Sequence, residues 1–354
     1  MTALDAPPSR PKPWLVIVPL ALLVTLGVVW TGLWFYAANR AEREIDAWIG
    51  REARLGRIWN CGERTLAGFP FRFELRCVKP TLETRGGDAL RFTAATVHAV
   101  AQVWAPNHIV AEFAAPARVE DLNSGVVYAA TWSLVQMSGV GDLSGRPQRF
   151  SLQAHDLRLE QPGSSFSGST PLLAARLFEF HARRTPDVEG RPDGVDYASG
   201  LLGGESALLS NFGVAGPVDM TLQGTVTASA DLRPMPVAQR LRAWAEAGGL
   251  ARLDRFAVTA PAIAITAAGI LSLDPQGRLN GKLDLGFAGL NDLVQGLDKA
   301  GAIPREVAPI VRALAMVGKP GTVEGRKGAT FALGFEAGTL KLGGFPVGIV
   351  PRLF

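Results

Sequence analysis

The sequence predicts a mainly β protein with a few inserted helices, an α+β chain. An N-terminal transmembrane helix leads into a large, curved, mostly antiparallel sheet. Three observations predict this. Trp14 to Ala38 runs 25 positions without a charged residue, and about 20 apolar residues suffice for a helix to cross a bilayer core. The chain that follows holds roughly ten to twelve stretches in which apolar and polar residues alternate with period two, the mark of half-buried strands. The 40 glycines and 24 prolines are spread between apolar runs and form no low-complexity tract, so they punctuate turns.

Composition narrows the function. Hydrophobic residues make up 47% and charged residues 19% of the 354, which is apolar for a soluble chain but short of a multi-span one. The net charge is +4 and the pI about 9.3. The positive charge is not clustered, and nucleic-acid binding requires a basic stripe or a recognisable fold. Nucleic acid is therefore excluded as a partner.

The first element is the anchor. Trp14 at one end and Trp30, Trp34 and Tyr36 at the other suit the two interfaces of a bilayer. A cleaved signal peptide is the alternative, but its apolar region would be about 7–15 residues long and would end in small residues. Cleavage after Ala38 would place bulky Tyr36 at the −3 position. We expect an uncleaved anchor and divide the chain into a cytoplasmic tail (1–13), a transmembrane helix (14–38), a stalk helix (39–60) and a β-rich periplasmic body (61–354). The charge count opposes that orientation: Arg10 and Lys12 precede the span, whereas Arg40, Arg43, Arg51, Arg54 and Arg57 follow it. Long domains translocate largely regardless of charge, and the cysteines suit an oxidising compartment.

The stalk carries Ile45, Trp48, Ile49, Leu55 and Ile58 at near-helical spacing. Next come Cys61 and Cys77, the only cysteines. They either form a disulfide closing a loop, worth roughly 3 kcal/mol in the chain-entropy model, or remain two thiols. They make no CxxC motif, and with only four histidines in the chain they make no zinc site. We expect the bridge.

Between them lies the most regular strand, Gly68–Cys77. Phe69, Phe71, Phe73, Leu75 and Cys77 share one face, and Pro70, Arg72, Glu74 and Arg76 share the other. Similar stripes recur at Val97–Val103, Ile109–Phe113, Tyr128–Leu134 and Phe150–Ala154. In the last, the parity switches at His155-Asp156, which predicts a bulge because a one-residue slip flips every side chain. The run around Phe178 and Phe180 suits a strand, with a short helix over Leu172–Arg183 as the alternative. Val218–Ala228 alternates again, and Pro236 opens a helix that Gly248 ends. Strands follow at Arg255–Thr259 and Ala262–Ala267. A hairpin turns at Asp274-Pro275-Gln276-Gly277, beyond which Leu283, Leu285 and Phe287 alternate with polar residues. Helices are expected at Asn291–Ala300 and Arg305–Val317, and strands close the chain.

Motifs for catalysis are lacking. His98, His108, His155 and His181 form no HxH or HExxH arrangement, and no GxSxG elbow occurs. Glu179 and His181 share a strand face and could touch, and a surface pair is the simpler reading. We expect no enzyme, cofactor or metal.

The anchor, the charged tryptophan-bearing helix, the Cys61–Cys77 segment with GFPFRFEL and the segment AGILSLDPQGRLNGKLDLGFAGLNDLV (Ala268–Val294) together resemble an uncharacterised family of Gram-negative envelope proteins, catalogued as a domain of unknown function. The second segment also distantly resembles AsmA-like proteins, which are anchored in the inner membrane and carry an apolar β-groove associated with lipid traffic. The resemblance implies an inner-membrane, single-pass, non-enzymatic protein that binds lipid or assists envelope biogenesis. Phe69, Phe71, Phe73, Leu75, Leu283, Leu285 and Phe287 are the candidate lining of such a groove, or else part of a closed core. The alternative is an interaction protein that docks another envelope protein through its sheet edges.

Overall fold

The computed structural model describes residues 14–354 apart from 86–88, 143, 164–167, 187–192, 212–213, 215, 230–234, 290–294, 296–317 and 343. Helix α1 (Trp14–Arg54) is one rod of 41 residues, about 60 Å long at 1.5 Å per residue. Apolar span and stalk are thus a single helix, and the stalk ends earlier than the expected boundary at residue 60. Gly56 takes φ +79° and donates its N–H to Ala53 O at 3.1 Å, a left-handed stop that only glycine adopts freely. Glu52 then holds Arg57 at 2.8 Å, and the chain turns back along α1 as strand β1 (Arg57–Asn60).

The strands β2 (Glu63–Ala67), β3 (Arg72–Val78), β4 (Thr81–Thr84), β5 (Leu90–Gln102), β6 (Ala105–Asp121), β7 (Val127–Thr131), β8 (Leu134–Gly141), β9 (Pro147–Gln161), β10 (Thr170–Arg184) and β11 (Val195–Ser206) follow. After the single-turn helix α2 (Ala207–Asn211) come β12 (Val218–Val226), helix α3 (Val237–Glu246), β13 (Leu250–Thr259), β14 (Ala264–Leu273), β15 (Leu279–Ala288), β16 (Lys319–Val323), β17 (Arg326–Glu336), β18 (Thr339–Leu342) and β19 (Phe345–Ile349). All nineteen strands belong to one sheet, and every pairing is antiparallel. The main ladder runs β2-β3-β5-β6-β8-β9-β10-β11-β12-β13-β14-β15-β17-β18-β19. Neighbours in sequence are mostly neighbours in space, as short connections require.

The parity switch on β9 falls at a backbone break, with Asp156 at φ +51°, but not at the expected bulge. Pairing to β10 keeps one register across it, His155 with Leu177 and Leu157 with Ala175, so no residue is inserted, and the break is one of a line. Cys61-Gly62 separates β1 from β2, Lys79-Pro80 separates β3 from β4, and Trp132-Ser133 separates β7 from β8. The register slips at Ala95 on β5 and at Ala115-Pro116 on β6. Hydrogen bonds tie these breaks side by side: Gly62 N to Val78 O, Lys79 N to Ala95 O, and Ser133 N to His155 O. Together they make a seam across six strands. On β3/β4, β5 and β9 the apolar parity changes at the seam, which keeps the greasy side chains on one face although the strand bends there. Buried Ala94 and Ala117 face each other beside it, small residues at a close approach.

Some expectations change. Residues 68–71 form a turn and β3 starts at Arg72, because Gly68 adopts φ +106° and Arg72 N bonds Gly68 O at 3.1 Å. Phe69 and Phe71 therefore sit on a hairpin tip and not in the strand. The run Leu172–Arg183 is strand β10, held by ladders to β9 and β11 on both sides. Helix α3 has Pro236 as its N-cap, and the turn at Asp274–Gly277 closes through Gly277 N to Asp274 O at 2.9 Å. The helices expected at Asn291–Ala300 and Arg305–Val317 lie outside the described residues, Gln295 excepted.

Candidate functional site

The register places the residues singled out in β3 and in β15 at two ends of the same three cross-strand rows. Starting from Phe73, successive partners are Ala101, Ile109, Gly139, Phe150, Ala182, Tyr197, Gly224, Leu253, Gly269, Leu283, Leu333 and Leu342. Starting from Leu75, the row passes Ala99, Ala111, Met137, Leu152, Phe180, Ser199, Leu222, Phe256 and Ala267 to Leu285 and Phe331. Starting from Cys77, it passes Val97, Phe113, Val135, Ala154, Phe178, Leu201, Met220, Val258 and Ile265 to Phe287. With strands about 4.8 Å apart, the rows extend for about 50 Å from β3 to β15. No residue in them is charged. The polar members are Tyr197 and Ser199, and Ser199 donates to Glu179 O at 2.9 Å.

This apolar face is not sealed. Phe73, Leu75, Phe113, Met137, Phe150, Leu152, Phe178, Phe180, Leu222, Phe256, Leu283, Leu285 and Phe287 are all half-buried. The fully buried apolar residues are mostly alanines, and the buried clusters are as small as Ala264, Ala288 and Val323. Two sheets packed face to face would bury large side chains completely.

Two helices roof parts of the face. At the near end the Trp34 ring stacks on Phe73 at 5.6 Å and meets Phe69 edge-on at 5.5 Å, while its indole N–H donates to Arg72 O at 3.2 Å. Trp34 is 5% exposed although it lies within the apolar helix. Further along α1, Trp48 packs on Trp59 and Asp46 pairs with Arg64 at 2.8 Å. The Cys61–Cys77 disulfide, with Cα atoms 5.5 Å apart, joins the β1–β2 break to β3 beneath this helix. At the far end α3 covers Val226, Ala251, Leu271, Leu273 and Leu279. It leaves an apolar cavity of about 700 Å³, and Trp244 fastens it by donating to Thr227 O at 2.9 Å.

The opposite face is polar and laced by side-chain bonds such as Gln136 Nε2 to Glu112 Oε1 at 2.8 Å and Gln153 Nε2 to Gln136 Oε1 at 3.2 Å. A shallow depression of about 560 Å³ there includes Ser151, His181, Arg183, Asp196 and Thr225. Burial pushes the Asp196 carboxyl up, but hydrogen bonds from Thr185 and Thr225 and the Arg183 guanidinium outweigh it and hold the group below its ordinary value. His181 Nδ1 lies 3.0 Å from Ser151 Oγ, and His181 Nε2 lies 3.8 Å from Glu179 Oε2. The trio has the residue types of a nucleophilic triad. Ser151 sits mid-ladder between Ser138 and His181, where backbone N–H groups are taken up by sheet pairing and are not free to stabilise an oxyanion. Both His181 and Glu179 are exposed to water. Among the described residues no group of three or more His, Cys, Asp or Glu side chains could hold a metal.

Sequence reasoning did not single out Trp34 and Trp244 as the roofs, or Trp104 at the β5–β6 turn.

The model of a family described as an uncharacterized protein conserved in bacteria, DUF2125, matches residues 34–351. The chain belongs to that family. No curated protein matches the chain.

Proposed function

We propose that this is a non-enzymatic, membrane-anchored envelope protein whose apolar sheet face binds the acyl chains of lipid. The observation that carries the reading is the three unbroken, uncharged rows from Phe73, Leu75 and Cys77 to Leu283, Leu285 and Phe287, in which the Phe, Leu and Met side chains are half-buried and Ile109 is exposed. Water contact with that much apolar surface is unfavourable by about 25 cal/mol per Å², and soluble proteins rarely leave so large a contiguous patch without a ligand or partner. A hydrocarbon chain is the matching ligand, since the rows offer no charge and few hydrogen bonds. α1 is long and apolar enough to cross a membrane, which puts lipid within reach of the near end. We place the anchor in the inner membrane and the body in the periplasm, because the Cys61–Cys77 bridge suits an oxidising compartment.

Native mass spectrometry of the detergent-released full chain tests this. Bound phospholipid is expected for the wild type, and Leu283→Arg with Leu285→Glu should abolish it. Lipid-free wild type, after mild extraction, sinks the reading. A second reading, docking of a protein partner, draws on the terminal strand β19. There Phe345, Val347 and Ile349 are all exposed, Ile349 at 85%, and such an edge accepts a strand from another chain. In-cell crosslinking from Ile349 to a stoichiometric protein, with no lipid bound, favours it.

A further inference from the structure

Two hairpin tips lie beside the exit of α1 from its apolar span, and both are aromatic, uncharged and bare. The β2–β3 tip presents Phe69, 48% exposed, and Phe71, 59% exposed. The β5–β6 tip presents Trp104, 67% exposed. The two are joined, since Val103 N donates to Phe71 O at 3.0 Å and the Phe71 and Trp104 rings lie 6.5 Å apart. They are also tied to α1: Trp30 Nε1 donates to Pro70 O at 3.0 Å, and Phe35 stacks on Phe69 at 6.0 Å.

Their depth follows from helix geometry. If Trp14 marks one interface, a core of about 30 Å takes about 20 residues and ends near Leu33 or Trp34. Trp30 then lies about 6 Å inside that boundary, and Pro70 is bonded to it. Gly68–Phe71 and Ala99–Asn107 contain no Asp, Glu, Lys or Arg, whereas the next turn on the same side, β8–β9, carries Asp142 and Arg146. Of these three neighbouring turns, the two uncharged aromatic ones are the two tied to the span.

We propose that the β2–β3 and β5–β6 tips enter the headgroup–acyl boundary of the bilayer crossed by α1, so that the near end of the apolar face opens onto the membrane leaflet itself. Trp and Phe side chains favour that layer, where an apolar ring can sit in hydrocarbon and an indole N–H can stay near polar groups. Three contact points, α1 and the two tips, fix the body's tilt on the membrane, which one helix alone does not. The proposal rests on α1 spanning the bilayer and stands independently of lipid binding along the face.

The full chain, reconstituted in vesicles of phosphatidylethanolamine and phosphatidylglycerol, tests it with a benzophenone side chain placed at one position at a time. The positions are Phe71, Trp104, Leu122 on the β6–β7 turn at the opposite end of these strands, and Leu283. Lipid adducts several-fold above the Leu122 background are expected at Phe71 and Trp104. Adducts there no greater than at Leu122 overturn the proposal. Adducts at Leu283 alone would retain the lipid-binding reading and dismiss the inserted tips. Adducts at Phe71 and Trp104 alone would do the reverse. Both tip residues are exposed, so the substitutions leave folding intact.

Discussion

The roofed ends of the sheet and its middle share one sequence pattern but differ in what lies over them. At the near end Trp34 and Ala38 of α1 are buried, Trp34 against Phe73 of β3, and Cys77 of β3 is buried too. At the far end α3 buries Ala245 and encloses a cavity. In β8 to β10 the same alternation leaves Met137, Phe150, Leu152, Phe178 and Phe180 half-buried. Period-two alternation marks which side chains share a face. Whether that face becomes core or groove depends on a second element packing over it.

This contrast can be broken by substitution. Trp34→Ala should have the largest effect. Losing a buried indole with its ring contacts costs about 3–5 kcal/mol, seen as a lower denaturation midpoint of the detergent-solubilised chain. Replacing Cys61 and Cys77 together by Ser should cost roughly 3 kcal/mol through the released loop, and reducing agent should reproduce the loss in the wild type but not in the variant. Phe180→Ser in the middle should cost less, about 1–2.5 kcal/mol, since a partly exposed ring has only part of its transfer free energy to lose, yet it should weaken lipid retention. A Phe180→Ser loss as large as that of Trp34→Ala would mean the middle is closed core.

The smallest effect concerns the β8–β9 turn. Asp142 is lowered to about 2 by bonds from the Ser144 hydroxyl and the Arg146 backbone N–H, with Gln148 adding another. A depressed carboxylate stabilises the fold above its ordinary value of 3.8, and that contribution fades as pH falls through the folded value near 2. Asp142→Asn should therefore flatten stability between about pH 4 and pH 2, lowering it modestly near neutrality, where the charged carboxylate contributes in full, and leaving it little changed below about pH 2. Acid titration followed by circular dichroism reads the difference.

Much of the architecture was legible in the residues. The long apolar helix showed in 25 uncharged positions, the hairpin in Asp274-Pro275-Gln276-Gly277, the helix in Pro236 and Gly248, and the break in β9 in the parity switch at His155-Asp156. The stripes Phe73-Leu75-Cys77 and Leu283-Leu285-Phe287 were each visible, but their membership in common rows was not. Strand pairing is made by backbone groups that are alike in every residue, so local pattern does not state which strand meets which. The tip at Gly68–Phe71 was misplaced for a related reason. Its alternation continues that of β3, while the turn is set by the left-handed backbone of Gly68 and the bond from Arg72 back to it.

By itself, then, the sequence determined the membrane-length helix, the existence of many one-sided strands, the cysteine pair and the absence of recognisable catalytic motifs, because each depends on neighbours within a few positions. Tertiary structure alone decided that the breaks align as a seam, that a dozen stripes join into one apolar face about 50 Å long, and that, among the described residues, Trp34 and Trp244 lie over its two ends. Those outcomes depend on contacts between residues far outside a local window, such as Trp34 with Arg72, 38 positions apart, where tertiary geometry selects among pairings that local alternation leaves equivalent.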